Sequence, residues 1–163
     1  ELIEAVFCAN CGGETANPEE IHWTARPYLK AKKDPHCIVR AQHSWQKTIP
    51  LAKWQAYFKA QGFILPAHPP QHYFTERITH RKMYYEWDNQ RISRLQLRHD
   101  WQLRSAFFSV VQQGNTILLD GRGYGHGVGF CQEGAMEMAK KGFNYQEILQ
   151  FYYQNIQIGP YSP

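Results

Sequence analysis

Residues 105–129 read SAFFSVVQQGNTILLDGRGYGHGVG. The first part sets two apolar runs, SAFFSVV and TILLDG, on either side of QQGN, which predicts a β-hairpin. The second part puts Gly121, Gly123, Gly125, Gly127 and Gly129 at every second position, around Arg122, Tyr124, His126 and Val128. Successive residues of an extended chain face opposite ways, so the four side chains are expected to share one face. The glycine face is then bare backbone, which another backbone or a flat ligand can approach closely. His126 is the candidate chemical group, since an imidazole titrates near neutrality. The competing reading is a tight strand-to-helix turn with a structural histidine. Dinucleotide binding fails on spacing: counted from Gly121 or Gly123, the third glycine position is His126 or Val128. The Gly-Lys-Ser/Thr of a P-loop is absent.

Beyond the loop, 132–141 predicts a helix stopped at Gly142. Asn144 and Glu147 make a capping-box pattern, and Tyr145, Ile148, Leu149 and Tyr152 line one face of a second helix. Upstream, residues 2–8 read as a weakly alternating strand, and Gly12 and Gly13 as a turn. NPEEIHW reads as a helical turn with Asn17 as N-cap and Pro18 following. TIPLAKWQAYFKAQG predicts a helix carrying Leu51, Trp54 and Phe58 on one face. ILPAHPPQHYF reads as a proline-rich loop. ERITHRKMYYEW and QRISRL predict strands around Asp88-Asn89, the second turning helical by Leu97. Strands followed by two C-terminal helices make the class α+β, a single domain over 1–163 built of antiparallel strands and hairpins.

The composition, 43% hydrophobic and 20% charged over 163 residues, is that of one globular domain. No apolar run is long enough for a membrane span. The net charge of +4 is scattered rather than clustered, which argues against a nucleic-acid partner. The opening ELIEAVF reads as a strand entered mid-sheet, so the chain is expected to be part of a longer, exported protein.

GRGYGHGVGFCQEGAMEMAKKGFNYQEILQFYY resembles the signature of the stage II sporulation protein D family, also called the amidase-enhancer family. That signature runs G-x-G-x-G-H-G-V-G-M-S-Q-x-G-A, then M-A, a glycine, a tyrosine, I-L and a tyrosine pair. CANCGGETANPEEIHWTARPYLKAKKDPHC is similar to its H-S-x-x-G-G-x-T block, tryptophan, P-Y-L and D-x-x-C, and LRSAFFSV to its L-x-S-x-x-F strand. The resemblance implies a peptidoglycan lytic transglycosylase acting on glycan strands stripped of stem peptides. An acid would protonate the glycosidic oxygen, and the sugar's own hydroxyl would close an anhydro product. The family's acid is a glutamate on an upstream helix, E-A-L-K-A-Q-A-x-A-A-R-T-Y, with no counterpart here, so the chain is expected to be the C-terminal portion of the domain.

The resemblance places His126 and Gln132 as catalytic candidates and Arg122, Tyr124, Gly125 and Gly127 as substrate-binding ones. Asp120 and Glu133 are the carboxylates flanking the loop. Cys8 stands where the family has histidine, and Cys131 where it has serine. Cys8, Cys11 and Cys37, with His43 or His36, suit a Cys₃His zinc site. The rival is a Cys11–Cys37 disulfide in an exported protein, with Cys8 and Cys131 left as thiols. The alternative function is a non-catalytic module that binds glycan strands or assists a cell-wall amidase. Either function implies an extracytoplasmic place in the cell envelope.

Overall fold

The computed structural model describes residues 2–160. In chain order the strands are β1 (Phe7–Cys8), β2 (Ser44–Pro50), β3 (Thr75–Glu76), β4 (Tyr84–Trp87), β5 (Gln90–Ser93), β6 (Phe108–Gln113), β7 (Thr116–Arg122) and β8 (Phe130–Cys131). The helices are α1 (Leu51–Ala60), α2 (Arg94–Asp100), α3 (Gln132–Lys140) and α4 (Tyr145–Tyr152). The class is α+β, with α3 and α4 as the two C-terminal helices. The fold groups into two compact units, Ser44–Arg122 and Glu1–His43 with Gly123–Pro163.

In the unit Ser44–Arg122, four antiparallel strands run in the order β2-β7-β6-β3. The β6–β7 hairpin turns at Gly114, whose φ of 57° supplies the left-handed residue that such a turn requires. β2 was not apparent as a strand from sequence, because it runs directly into α1. Its alternation is nonetheless plain, with Trp45 and Ile49 inward. On β7, Gly121 lies against the Trp45 ring, and any Cβ there would overlap the indole. α1 buries Trp54 and Phe58 and gives way at Gly62, φ 85°. β4 and β5 pair around Asp88-Asn89, and β5 passes directly into α2, capped by the Ser93 hydroxyl accepting from the Leu95 N–H. The core is aromatic: Phe58 packs edge-on to Trp54 and Trp87, with centroids 5.0 and 4.8 Å away.

In the other unit, β1 and β8 pair in parallel, with Phe7 opposite Phe130 and Cys8 opposite Cys131. The expected antiparallel strands and hairpins are all in the unit Ser44–Arg122, and this short parallel pair is added to them. The physical reason is that the glycine loop carries the chain back alongside residues 6–12, so that β8 leaves in the direction of β1. Of residues 2–8, only Phe7–Cys8 is a strand. NPEEI forms a 3₁₀ turn with Asn17 and Glu20 in a capping box. α4 carries the same device: the Asn144 side chain accepts from the Glu147 N–H at 3.0 Å, and the Glu147 carboxylate accepts from the Asn144 N–H at 2.7 Å. Asn144→Ala is therefore expected to cost about 1 kcal/mol, read as a shift of the urea unfolding midpoint. An unchanged midpoint would show that the cap contributes nothing.

Candidate functional site

The alternating glycines do not form a regular strand. Gly123, Gly125, Gly127 and Gly129 all have positive φ, between 73° and 110°. The expectation that Arg122, Tyr124, His126 and Val128 share a face is corrected by their burial: Val128 is fully buried, whereas Tyr124 is exposed. Left-handed residues break the two-residue alternation on which that expectation rested.

What the bare backbone admits is another stretch of backbone. Tyr124 and Asn10 exchange main-chain hydrogen bonds of 2.8 and 3.1 Å. The Gly127 carbonyl accepts from the Ala16 N–H at 2.9 Å, and the Gly123 N–H donates to the His43 carbonyl at 2.7 Å. A Cβ on Gly123 would lie 2.7 Å from the Asn10 carbonyl oxygen, closer than real Cβ atoms come. The loop is thus seated on residues 6–16.

That seating presents His126. Its Nδ1 accepts from the Val128 N–H at 3.0 Å, so in the neutral ring Nε2 carries the proton. Its ring lies 5.0 Å from that of Trp23, which is 44% exposed. Beside Trp23 runs a groove of about 450 Å³ lined by Glu4, Val6, Pro18, His22, Arg26 and Leu29, among others. Arg26 and Glu4 form an exposed ion pair of 3.3 Å there. Trp23 follows the 3₁₀ turn, whose cap His22 adopts φ 60°.

The other anticipated residues fall in different places. Gln132 opens α3 with an exposed side chain. Arg122 ends β7, lies over the Phe107 ring at 4.0 Å and donates to the Thr79 carbonyl at 2.9 Å, contacts that brace the strand end. The flanking carboxylates are engaged in the fold. Glu133 is held by the Asn10 amide at 2.7 Å, with Arg40 at 4.0 Å, and Asp120 accepts from the Gln46 amide at 3.2 Å.

The anticipated metal set Cys8, Cys11, Cys37 and His43 is not gathered as a group. Cys8 packs beneath Gly125. The His43 Nδ1 is buried without a hydrogen-bond partner among the described residues. Instead Cys11, Asp34, Cys37 and Cys131 converge, all four completely buried. The register of β1 on β8 is the reason: Cys8 and Cys131 are opposite one another, and the chain then turns at residue 9 to carry Cys11 over Cys131. Sequence reasoning missed Asp34 and left Cys131 as a bystander. The available signal was the spacing of Asp34 and Cys37, three residues apart on one turn.

Within this group the Cys11 thiol lies 3.3 Å from Asp34 Oδ2 and 3.5 Å from the Cys37 sulfur. The Tyr152 hydroxyl donates to Asp34 Oδ2 at 2.8 Å, and the His36 N–H donates to Oδ1 at 2.9 Å. Hydrogen bonds to Cys131 and Cys37, together with burial, push the Cys11 thiol far up. At Cys37 the bond from Cys11 lowers the pKa. Cys131, burial and Asp34 outweigh it and push the group up to about 11.

No protein-family model matches the chain. Stage II sporulation protein D of Bacillus subtilis (strain 168) is 33% identical over 162 residues, which cover 96% of this chain and 45% of that protein. The protein of the same name from Bacillus amyloliquefaciens is 31% identical over 163 residues, with the same two coverages. The amidase enhancer of Bacillus subtilis is 36% identical over 58 residues, 36% of this chain and 8% of that protein. The chain spans a little under half the length of the sporulation proteins it matches. The resemblance carried by the glycine loop thus extends across nearly the whole chain in stage II sporulation protein D, and over 58 residues in the amidase enhancer.

Proposed function

We propose that this chain is a non-catalytic, extracytoplasmic module that binds peptidoglycan glycan strands and assists a cell-wall amidase. The observation that carries the reading is the Trp23–His126 ring pair standing beside an open groove with a charged pair in it. A half-exposed indole offers an apolar face to the C–H surface of a sugar, and its polar rim keeps it soluble. Arg26 and Glu4 supply donors and acceptors for the sugar hydroxyls. The amidase is suggested by the name of one relative. Asp120 and Glu133 support a binding rather than a cleaving role, since each is committed to a hydrogen bond that holds the fold. Among the described residues no helix is long and apolar enough to cross a membrane.

The test combines two measurements. Binding of glycan strands stripped of stem peptides is followed by calorimetry, and amidase turnover of cell walls is followed with and without the chain. Trp23→Ala and His126→Ala are each expected to weaken strand binding at least tenfold, and Trp23→Ala, at an exposed side chain, to leave the thermal midpoint within about 2 °C, because surface changes cost little stability. Unchanged binding in both variants would sink the platform. If the chain alone generated anhydro-muramyl ends, the reading would give way to a lytic transglycosylase.

A further inference from the structure

We propose that Cys11, Asp34, Cys37 and Cys131 form a structural site for a divalent metal of borderline softness, zinc above all. The inference is independent of glycan binding. It rests on the fact that one ligand atom from each of the four residues lies within 4.8 Å of all the others, in a wholly buried place. Four ligands on a tetrahedral zinc at a Zn–S distance near 2.3 Å sit about 3.8 Å apart. The Cys11–Cys37 separation of 3.5 Å is already close to that edge.

Two further features point to a cation. The Cys11 N–H donates to the Cys131 sulfur and the Gly13 N–H to the Cys37 sulfur, each at 3.3 Å. Main-chain N–H groups aimed at a ligating sulfur fix its orientation, as the outer-shell partners of a bound metal do. Asp34 also places a carboxylate oxygen, a ligand type that zinc accepts beside sulfur, in the same enclosure. On binding, the three thiols become thiolates and release their three protons to solvent; no oxidant is needed.

The set also explains itself better as a metal site than as a disulfide. A Cys11–Cys37 bridge would use two sulfurs and leave Cys131 and the Asp34 carboxylate facing each other without a cation. Three thiolates and a carboxylate instead make a closed four-ligand shell, the form that structural zinc takes. It would join three separate chain segments: the turn after β1, the 3₁₀ turn at Cys37–Val39, and the end of β8. Gly134 supports the arrangement, since a Cβ there would overlap Asp34 Oδ2 and the Tyr152 hydroxyl.

The experiment uses the whole chain, purified with reductant and titrated with Zn²⁺ or Co²⁺ alone. Native mass spectrometry should show one zinc per chain. The cobalt form should show tetrahedral visible bands and a sulfur-to-cobalt charge-transfer intensity fitting three thiolates. Both readings need no variant. Cys131→Ser and Asp34→Asn should each weaken metal binding at least tenfold, whereas Cys8→Ser and His43→Ala should leave it within twofold. A reduced chain that takes up no metal would overturn the site. So would a chain isolated two protons lighter with a Cys11–Cys37 bridge, or metal loss in Cys8→Ser with retention in Cys131→Ser.

Discussion

Arg94→Ala is expected to destabilise the protein by about 3–5 kcal/mol, the range for removing one partner of a buried ion pair. Arg94 is fully buried on the first turn of α2, and its guanidinium is spoken for on every side. It forms an ion pair with Glu76 on β3, donates to the Phe108 carbonyl on β6 at 2.6 Å and to the Tyr84 carbonyl on β4 at 3.1 Å. It therefore joins the four-stranded sheet to the β4–β5 hairpin. Alanine leaves a mostly buried carboxylate and two carbonyls without their donor, along with a cavity. Arg94→Lys should recover only part of the loss, because an ammonium has no planar fork to reach three acceptors at once. Urea unfolding with a slope of ~1–3 kcal/mol per molar should show the midpoint falling by about 2 M. A loss under 1 kcal/mol for the alanine variant would mean that the enclosure re-solvates freely and the pair is not structural.

Gly129→Ala is the second large expectation, at about 2–4 kcal/mol. Two costs add. Gly129 has φ 73°, a conformation in which alanine is worse than glycine by about 1 kcal/mol. A Cβ there would also run into the Val6 carbonyl oxygen and crowd Val6 Cγ2 at 3.0 Å. That carbonyl accepts from the Phe130 N–H at 3.0 Å and from the Tyr153 hydroxyl at 2.8 Å. Backbone cannot step aside as a flexible side chain can, so the overlap is relieved by prying β8 from β1, at the further ~1–3 kcal/mol of an overpacked site. Gly142→Ala makes the control: its φ is 90° but nothing stands within 4 Å, so only the conformational cost applies. Hydrogen exchange should speed at Phe130 in Gly129→Ala and not in Gly142→Ala. Equal losses in the two variants would show that the close approach to Val6 carries no energy.

Local signals were legible wherever one turn of chain decides the outcome. The QQGN hairpin, the Asn144–Glu147 capping box, the Gly62 and Gly142 stops and the strand-to-helix passage after Ser93 are set by residues within a few positions of each other. Such preferences survive in any tertiary setting that does not oppose them. The glycine loop was legible in a weaker sense. Its pattern announced close backbone approach, and the homology it suggested extends across the chain. Its geometry was not legible, because alternation predicts faces only for extended residues, and four of these glycines have positive φ.

The amino-acid sequence by itself determined the α+β class, the C-terminal helices, the hairpins and the family resemblance. Each rests on short-range periodicity or on a long contiguous motif. Tertiary structure alone decided which cysteines meet. Cys8 and Cys11 are neighbours in sequence and look like natural partners, yet the parallel register of β1 on β8 brings Cys131, 120 residues from Cys11, to the Cys11 main chain. The same packing brings in Asp34 and encloses it under Tyr152. It also sets Trp23 against His126, two rings separated in sequence by most of the chain. Spacing along a chain fixes distance only over a turn or two. Beyond that, strand register and close-packed backbone choose the neighbours.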